Sequence, residues 1–155
     1  MKRTNDTAFE FEFVPVTKLF ETQAAAHPDK TAVVCGGDTL TYSELNARAN
    51  RIANALINLG VTRENTVGVL LDRSVNVYAA RQGILKSGGA FVVASPEYPE
   101  DRVSYIFSDA GAKFVLTTAE IKSSYGDMWD NLDCKPLLIE ELPENGCDDN
   151  PDTEI

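Results

Sequence analysis

Ile84-Leu85-Lys86-Ser87-Gly88-Gly89-Ala90-Phe91-Val92-Val93-Ala94-Ser95-Pro96-Glu97-Tyr98-Pro99 reads as the end of a helix, a double-glycine turn, a short apolar strand and a proline-flanked loop. Gly88-Gly89 lets the backbone turn where side chains would collide. Phe91-Val92-Val93 is a continuous apolar run rather than an alternating one. Such a run marks a strand buried on both faces, as in a parallel sheet. Val67-Gly68-Val69-Leu70-Leu71 carries the same signature. Strands are therefore expected over residues 66–71, 90–94 and 113–117. Helices are expected over 74–87 and 100–110, the second with Pro99 before it and Gly111 after. A helical stretch over 118–129 and a last strand over 136–140 complete the series. This alternation gives an α/β fold, a mainly parallel sheet with helices on both faces.

Upstream the pattern changes. Phe9-Glu10-Phe11-Glu12-Phe13 alternates loosely, as in an edge strand or a frayed leader. Val16, Leu19 and Phe20 stand at helical spacing in a helix over 16–26, which His27-Pro28 stops. Residues 31–35 and 38–40 flank Gly36-Gly37 and form a β-hairpin. Thr41, with Glu44 three residues on, makes a capping box that satisfies two orphan amides. The helix it opens carries Leu45, Ala49, Ile52, Ala53, Leu56 and Leu59 on one face and ends at Gly60. The 74–87 helix is apolar around most of its circumference, with a thin polar side of Asn76, Arg81, Gln82 and Lys86. A helix of that kind is normally covered by more protein. An exposed apolar surface and self-association of the chain are the expected consequences.

The chain has 155 residues, 43% hydrophobic and 25% charged, which fits one globular domain or subdomain. The net charge of −10 argues against nucleic acid and anionic membrane as partners. Glu140, Glu141, Glu144, Asp148, Asp149, Asp152 and Glu154 crowd the C-terminal stretch without a lysine or arginine. A solvated, mobile acidic linker over 141–155 is expected there. Residues 1–15 read as a leader or interdomain linker and 16–140 as the folded body. Cys35, Cys134 and Cys147 are odd in number and far apart, so neither a zinc site nor a disulfide framework is indicated. A reducing cytoplasm fits that usage. Acidic residues interrupt the segment after Lys2-Arg3, so no signal sequence is expected.

Two motifs carry a family resemblance. Leu40-Thr41-Tyr42-Ser43-Glu44-Leu45 and Leu85-Lys86-Ser87-Gly88-Gly89-Ala90-Phe91-Val92-Val93-Ala94-Ser95-Pro96 resemble the first two core motifs of the amino-acid adenylation domains of nonribosomal peptide synthetases. His27-Pro28-Asp29-Lys30-Thr31-Ala32-Val33 upstream, and Tyr98-Pro99 with Arg102 and Asp109-Ala110-Gly111-Ala112-Lys113 downstream, fit the same family. The likeness runs over about residues 17–118. Val93 stands where the family usually has proline, and Ser95 where it usually has aspartate, so the loop after Ala94 is expected to differ. The resemblance implies the N-terminal subdomain of an adenylate-forming ligase. The complete domain would activate an amino acid with ATP and magnesium. It would then load the acyl group on the phosphopantetheine thiol of a carrier protein, with a condensation domain as a possible upstream neighbour. The glycine-rich phosphate loop and the lysine of that family are not among these residues. No catalytic, cofactor-binding or metal-binding residue is therefore expected here, and the chain alone is expected to be inactive.

The candidate residues have plainer roles open to them. A phosphate cradle needs glycines that follow a strand and open a helix; Gly88-Gly89 follow a helix and open a strand. His27 stands beside a proline at a helix end, the place of a cap. Cys35 lies at a strand end, a small buried hydrophobe rather than a nucleophile. Tyr125, Met128 and Trp129 could make a ligand platform, but core packing is commoner. Asp148, Asp149, Asn150, Asp152 and Glu154 hint at calcium without the loop glycine and flanking helices of an EF-hand. Two rival functions remain beside the ligase: a non-catalytic α/β interaction module and a flavodoxin-type nucleotide binder. The missing strand-to-helix glycine turn weighs against the latter.

Overall fold

The computed structural model describes residues 10, 13–143 and 148–153. The elements run in the order α1 (Val16–Ala26), β1 (Thr31–Cys35), β2 (Asp38–Thr41), α2 (Tyr42–Asn58), β3 (Thr66–Leu70), α3 (Val75–Lys86), β4 (Ala90–Ala94), α4 (Glu100–Asp109), β5 (Phe114–Thr117), α5 (Ala119–Ser124) and β6 (Lys135–Leu138). Short 3-10 turns lie at Gly126–Asn131 and Ile139–Glu141. The hairpin β1–β2 is a separate antiparallel pair, and the parallel sheet has the order β4-β3-β5-β6. Most of the 9–13 alternation lies outside the described residues.

Alternation along β3 divides the core in two. Val67 and Val69 join one cluster with Ile52 and Leu56 of α2, Ala79, Ala80 and Ile84 of α3, and Val33 and Leu40 of the hairpin. Leu70 joins a second cluster with Val103 and Phe107 of α4, Ile121 of α5, and Met128 and Trp129. Helices therefore cover both faces. In β3, Val67, Gly68, Val69 and Leu70 are all buried, as the apolar run predicts.

Corrections arise where burial depends on neighbours distant in sequence. Expected as buried on both faces, β4 is instead an edge strand with Phe91 36% and Val93 41% exposed. Among the described residues, only one of its sides has a strand to pair with. In α1, Val16 and Leu19 are exposed, while Thr17 and Ala24 are buried, because Glu21 on that same side bonds to Lys86 of α3. Leu59 lies beyond the last turn of α2 and is exposed. The 118–129 stretch breaks after Ser124 and continues as a 3-10 turn, with Gly126 at φ +41° in the break. The last strand begins one residue earlier than expected and ends at Leu138.

Local signals set α2. Thr41 Oγ1 accepts from Glu44 N–H at 3.2 Å, and Glu44 Oε2 accepts from Thr41 N–H at 2.8 Å. Those hydrogen bonds hold the Glu44 carboxyl below its ordinary range, the backbone donor of Thr41 contributing most. Further along, α2 lies so close to α3 that a Cβ on Gly83 would sit 2.6 Å from Ile52 Cβ and 2.8 Å from the Ala49 carbonyl.

These contacts make the stability of the fold testable at two points. Thr41→Ala removes the cap acceptor and should cost about 1 kcal/mol, a few degrees in the melting midpoint. Glu44's lowered pKa means its contribution is complete above the unfolded carboxylate pKa and is lost as pH falls through the folded value. Glu44→Gln should therefore flatten the acid limb of a pH–stability curve. Gly83→Ala overpacks the α2–α3 contact and should cost about 1–3 kcal/mol; chemical denaturation measures it, and a neutral result would mean the two helices separate freely.

Candidate functional site

In open α/β sheets ligands favour the crevice beyond the carboxyl ends of the strands. Here that region is a crevice of about 460 Å³. Asp72, Arg73, Tyr78, Arg81, Ser95 and Glu97 are among its lining residues. Charges of both signs line it. Arg81 lies over the Phe91 ring with its guanidinium carbon 5.2 Å from the centroid. Among the described residues, no histidine, cysteine or lysine lines it.

The loop after Ala94 is ordered by local bonds despite the two departures from the family motif. Ser95 Oγ accepts from Glu97 N–H at 3.2 Å, and Tyr98 N–H donates to Ser95 C=O at 3.0 Å. The serine thus supplies the side-chain acceptor that an aspartate could have offered. Tyr125 Oη lies 3.1 Å from both Pro96 C=O and Tyr98 C=O and fastens the loop to the opposite layer. Burial, with Asp72 and Glu100 nearby, pushes the Tyr125 phenol above its ordinary range. Trp129 Nε1 donates to Lys122 C=O at 3.0 Å, and Met128 is fully buried. Tyr125, Met128 and Trp129 are therefore core, not a ligand platform.

The glycine pair is a helix stop. Gly88 has φ +84°, its N–H donates to Leu85 C=O at 3.0 Å, and Gly89 N–H donates to Ile84 C=O at 3.1 Å. That is the bonding of a Schellman cap. Both amides are engaged, and a Cβ at Gly89 would stand 3.1 Å from the Asn65 carbonyl. Neither amide points to a phosphate. His27 is the exposed C-cap residue of α1, its N–H donating to Gln23 C=O at 2.9 Å. Cys35 and Cys134 are free and half-buried, and burial pushes the Cys134 thiol up, away from a reactive thiolate. Among the described residues no group of three His, Cys, Asp or Glu side chains stands together for a metal.

Sequence reasoning missed the most polar node of the fold. Lys86, expected on the polar side of its helix, has its side chain fully buried and its Nζ 2.7 Å from Glu21 Oε1. Asn150 Oδ1 accepts from Lys86 Nζ at 2.9 Å and from Asn46 and Asn50 Nδ2 at 3.0 Å each. Thr153 Oγ1 donates to Lys86 C=O at 2.8 Å, and Arg51 reaches Asp148 at 3.3 Å. Burial lowers the Lys86 pKa, with Glu21 opposing the shift. At Glu21 burial acts upward, yet the hydrogen bonds from Lys86 and Lys18 prevail and its carboxyl stays below the ordinary range. The acidic stretch was expected to be solvated and mobile. Over residues 148–153 it is instead docked across α2 and α3. Asp148 contributes to the docking, but Asn150 and Thr153, which a charge pattern does not register, hold it to Lys86.

The parallel sheet and separate hairpin are shared with the N-terminal domains of adenylate-forming enzymes among the solved structures, which sets the class. A family model described as AMP-binding enzyme matches residues 20–152, and the chain belongs to that family. Surfactin synthase subunit 1 of Bacillus subtilis (strain 168) is 41% identical over 143 residues, which cover 90% of this chain and 4% of that protein. The solved nonribosomal peptide synthetase FmoA3, in a form with α-methyl-L-serine-AMP bound, matches with TM-score 0.81 and 35% identity over 95% of this chain and 16% of that one. The Klebsiella oxytoca NpsA N-terminal subdomain, 22% identical with TM-score 0.74 over 90% of this chain and 35% of its own, shares the fold. The chain therefore spans a small part of these relatives and corresponds to the N-terminal region of their adenylation domains.

Asn150→Ala should destabilise the chain by about 1.5–3 kcal/mol, the worth of a hydrogen bond to a charged group. Denaturant unfolding tests this, as does deletion of residues 148–155, which should lower the midpoint at least as far. An unchanged midpoint in both would return this stretch to the status of a detached linker.

Proposed function

We propose that this chain is the N-terminal part of an amino-acid adenylation domain of a nonribosomal peptide synthetase. The observation that carries the reading is the family match over residues 20–152, together with 41% identity across 90% of the chain to a peptide synthetase subunit. The complete domain activates an amino acid with ATP and magnesium to an aminoacyl adenylate and passes it to a carrier-protein thiol. FmoA3, with its bound aminoacyl-AMP, supports the adenylate as the product class. Residues 16–140 form the body of the subdomain. The 141–155 stretch links that body to the remainder of the domain, residues 148–153 being fastened to the body first. No described helix is long and apolar enough to cross a membrane, and a cytoplasmic site of action fits the unpaired cysteines.

The role of these residues in that reaction is structural. Phosphoryl chemistry of this kind needs donors aimed at a developing anionic phosphorus. The amides of the Gly88-Gly89 turn are consumed in a helix cap, so those donors belong to other residues of the complete domain. Amino-acid-dependent ATP–pyrophosphate exchange should be at background for the 155-residue chain and clear for a domain in which this segment is joined to the rest of an adenylation domain. Turnover by the chain alone would overturn the division of labour. Absence of exchange in the joined, folded domain, across the proteinogenic amino acids, would overturn the family function and favour the interaction-module reading.

A further inference from the structure

Lys86 is bonded to the 148–153 stretch at two points. Its Nζ donates to Asn150 Oδ1 at 2.9 Å, and its C=O accepts from Thr153 Oγ1 at 2.8 Å. Pro151, whose ring fixes φ, lies between the two anchors. A single anchor would fix a place; a pair also fixes the direction in which the chain runs. Asn50 adds to the hold. It is fully buried in α2, and its Nδ2 donates to both Asp148 C=O and Asn150 Oδ1. An amide nitrogen carries two hydrogens, so both are spent on this stretch. None of residues 148–153 is itself buried. Their attachment is therefore polar, and without it the Lys86 ammonium and the Asn50 amide would lose partners in the interior. Lys86 also closes α3, where Gly88-Gly89 turn the chain into β4. One residue thus ties the course of the stretch to the start of a sheet strand. The family match continues into the stretch, as far as residue 152.

We propose that Lys86 is a positioning residue for the adenylation reaction: by holding Asn150 and Thr153 it sets the course on which the chain passes from this subdomain towards the rest of the domain. The inference rests on the adenylation reading, in which the donors to the reacting phosphorus belong to that remainder. Such donors act only when they are aimed beforehand at the developing charge. A displacement of about 1 Å caused far from the chemistry can cost about a hundredfold in rate. Lys86 touches none of the reacting atoms in this account; it acts through the stretch it holds. Glu21, 2.7 Å from Lys86 Nζ, balances the ammonium, so the clamp does not leave a lone charge in the interior. The neutral oxygen of Asn150 then takes one of the remaining ammonium hydrogens without adding a second carboxylate beside Glu21.

Lys86→Met and Asn150→Ala test this, each in the 155-residue chain and in a complete adenylation domain that carries it. In the chain, amide hydrogen exchange over 148–153 should quicken at least about tenfold in both variants, as expected for one lost bond to a charged group, while α2 and α3 stay protected. In the complete domain, ATP–pyrophosphate turnover per folded enzyme should fall about 10–100-fold, in kcat and kcat/KM alike, because aim is lost in the transition state and not in binding. The double variant should fall no further than the worse single one, since both break the same clamp; independent losses would add. Unchanged protection of 148–153 in Lys86→Met overturns the hold. A released stretch with undiminished turnover, or additive losses, overturns the positioning role while a turning-over wild type keeps the adenylation reading. A folded wild-type domain without turnover overturns that reading, and the positioning role with it. Should Lys86→Met not fold, Asn150→Ala decides by the same two measurements, because Asn150 is exposed and its truncation leaves Lys86 paired with Glu21.

Discussion

The ammonium of Lys86 sits in the interior at the point where α3 ends, and the surrounding elements are arranged around its need for partners. A buried cation without partners costs several kcal/mol. Glu21 reaches it from α1, and Asn150 from the docked stretch. Thr153 bonds to its own carbonyl. One charge thus fixes where α1 crosses α2 and α3, and where the chain returns after the last 3-10 turn. It also explains why α1 buries the Thr17, Glu21 and Ala24 side although Val16 and Leu19 are the more apolar residues. The lowered pKa of Lys86 shows that its partners do not fully offset desolvation. That is the expected sign for a node that specifies geometry more than it adds stability.

Immediately after that charge the chain must reverse from helix to strand within a few residues. Ser87 caps α3 and its hydroxyl donates to Ile84 C=O at 2.7 Å; Gly88 then takes the left-handed turn, and Gly89 passes within contact of the β3 approach. Lys86, Ser87 and the glycine pair therefore act as a unit. The lysine anchors the helix end, and the glycines aim β4 into register with β3. The motif is thus a device for positioning a strand, and the amides of its glycine pair are engaged in the helix cap. The rival view of these glycines as a phosphate cradle fails because both of their hydrogen-bond donors are already engaged.

Legibility in the sequence depends on the range of the interaction. Thr41 and Glu44 lie three residues apart, and their reciprocal bonds are readable from the spacing alone. The Gly36-Gly37 hairpin, the Val67–Leu71 run and the proline and glycine stops are readable for the same reason. The burial of β4 is not, because an apolar run cannot state whether a strand has one neighbour or two. A helical wheel assigns Lys86 to solvent, whereas its partners lie 64 and 65 residues away and draw it inward. Over 148–153 the net charge of the acidic stretch obscures Asn150 and Thr153, the two neutral residues that bond to Lys86. At the candidate site, the family motif supplies Val93, Ser95 and Pro96 to the crevice, while Arg73 and Arg81 stand outside any motif.

The contrast between the two sheet edges fits the proposed place of the fold in a larger enzyme. A subdomain that must join other parts of a domain keeps some surfaces adhesive, and a free-standing domain blunts them. Here Lys135 and Pro136 blunt β6, while β4 and the exposed side of α3 retain Phe91, Val93 and Tyr78. The Ser95 loop ends β4 through its own hydrogen bonds and is pinned by Tyr125 from the far layer. β4 is therefore a rigid edge and not a frayed one. Rigidity matters because an edge already held in register loses little further backbone entropy when another strand pairs with it. The same packing that makes this half-sheet a stable body leaves the outer side of β4, among the described residues, without a neighbouring strand.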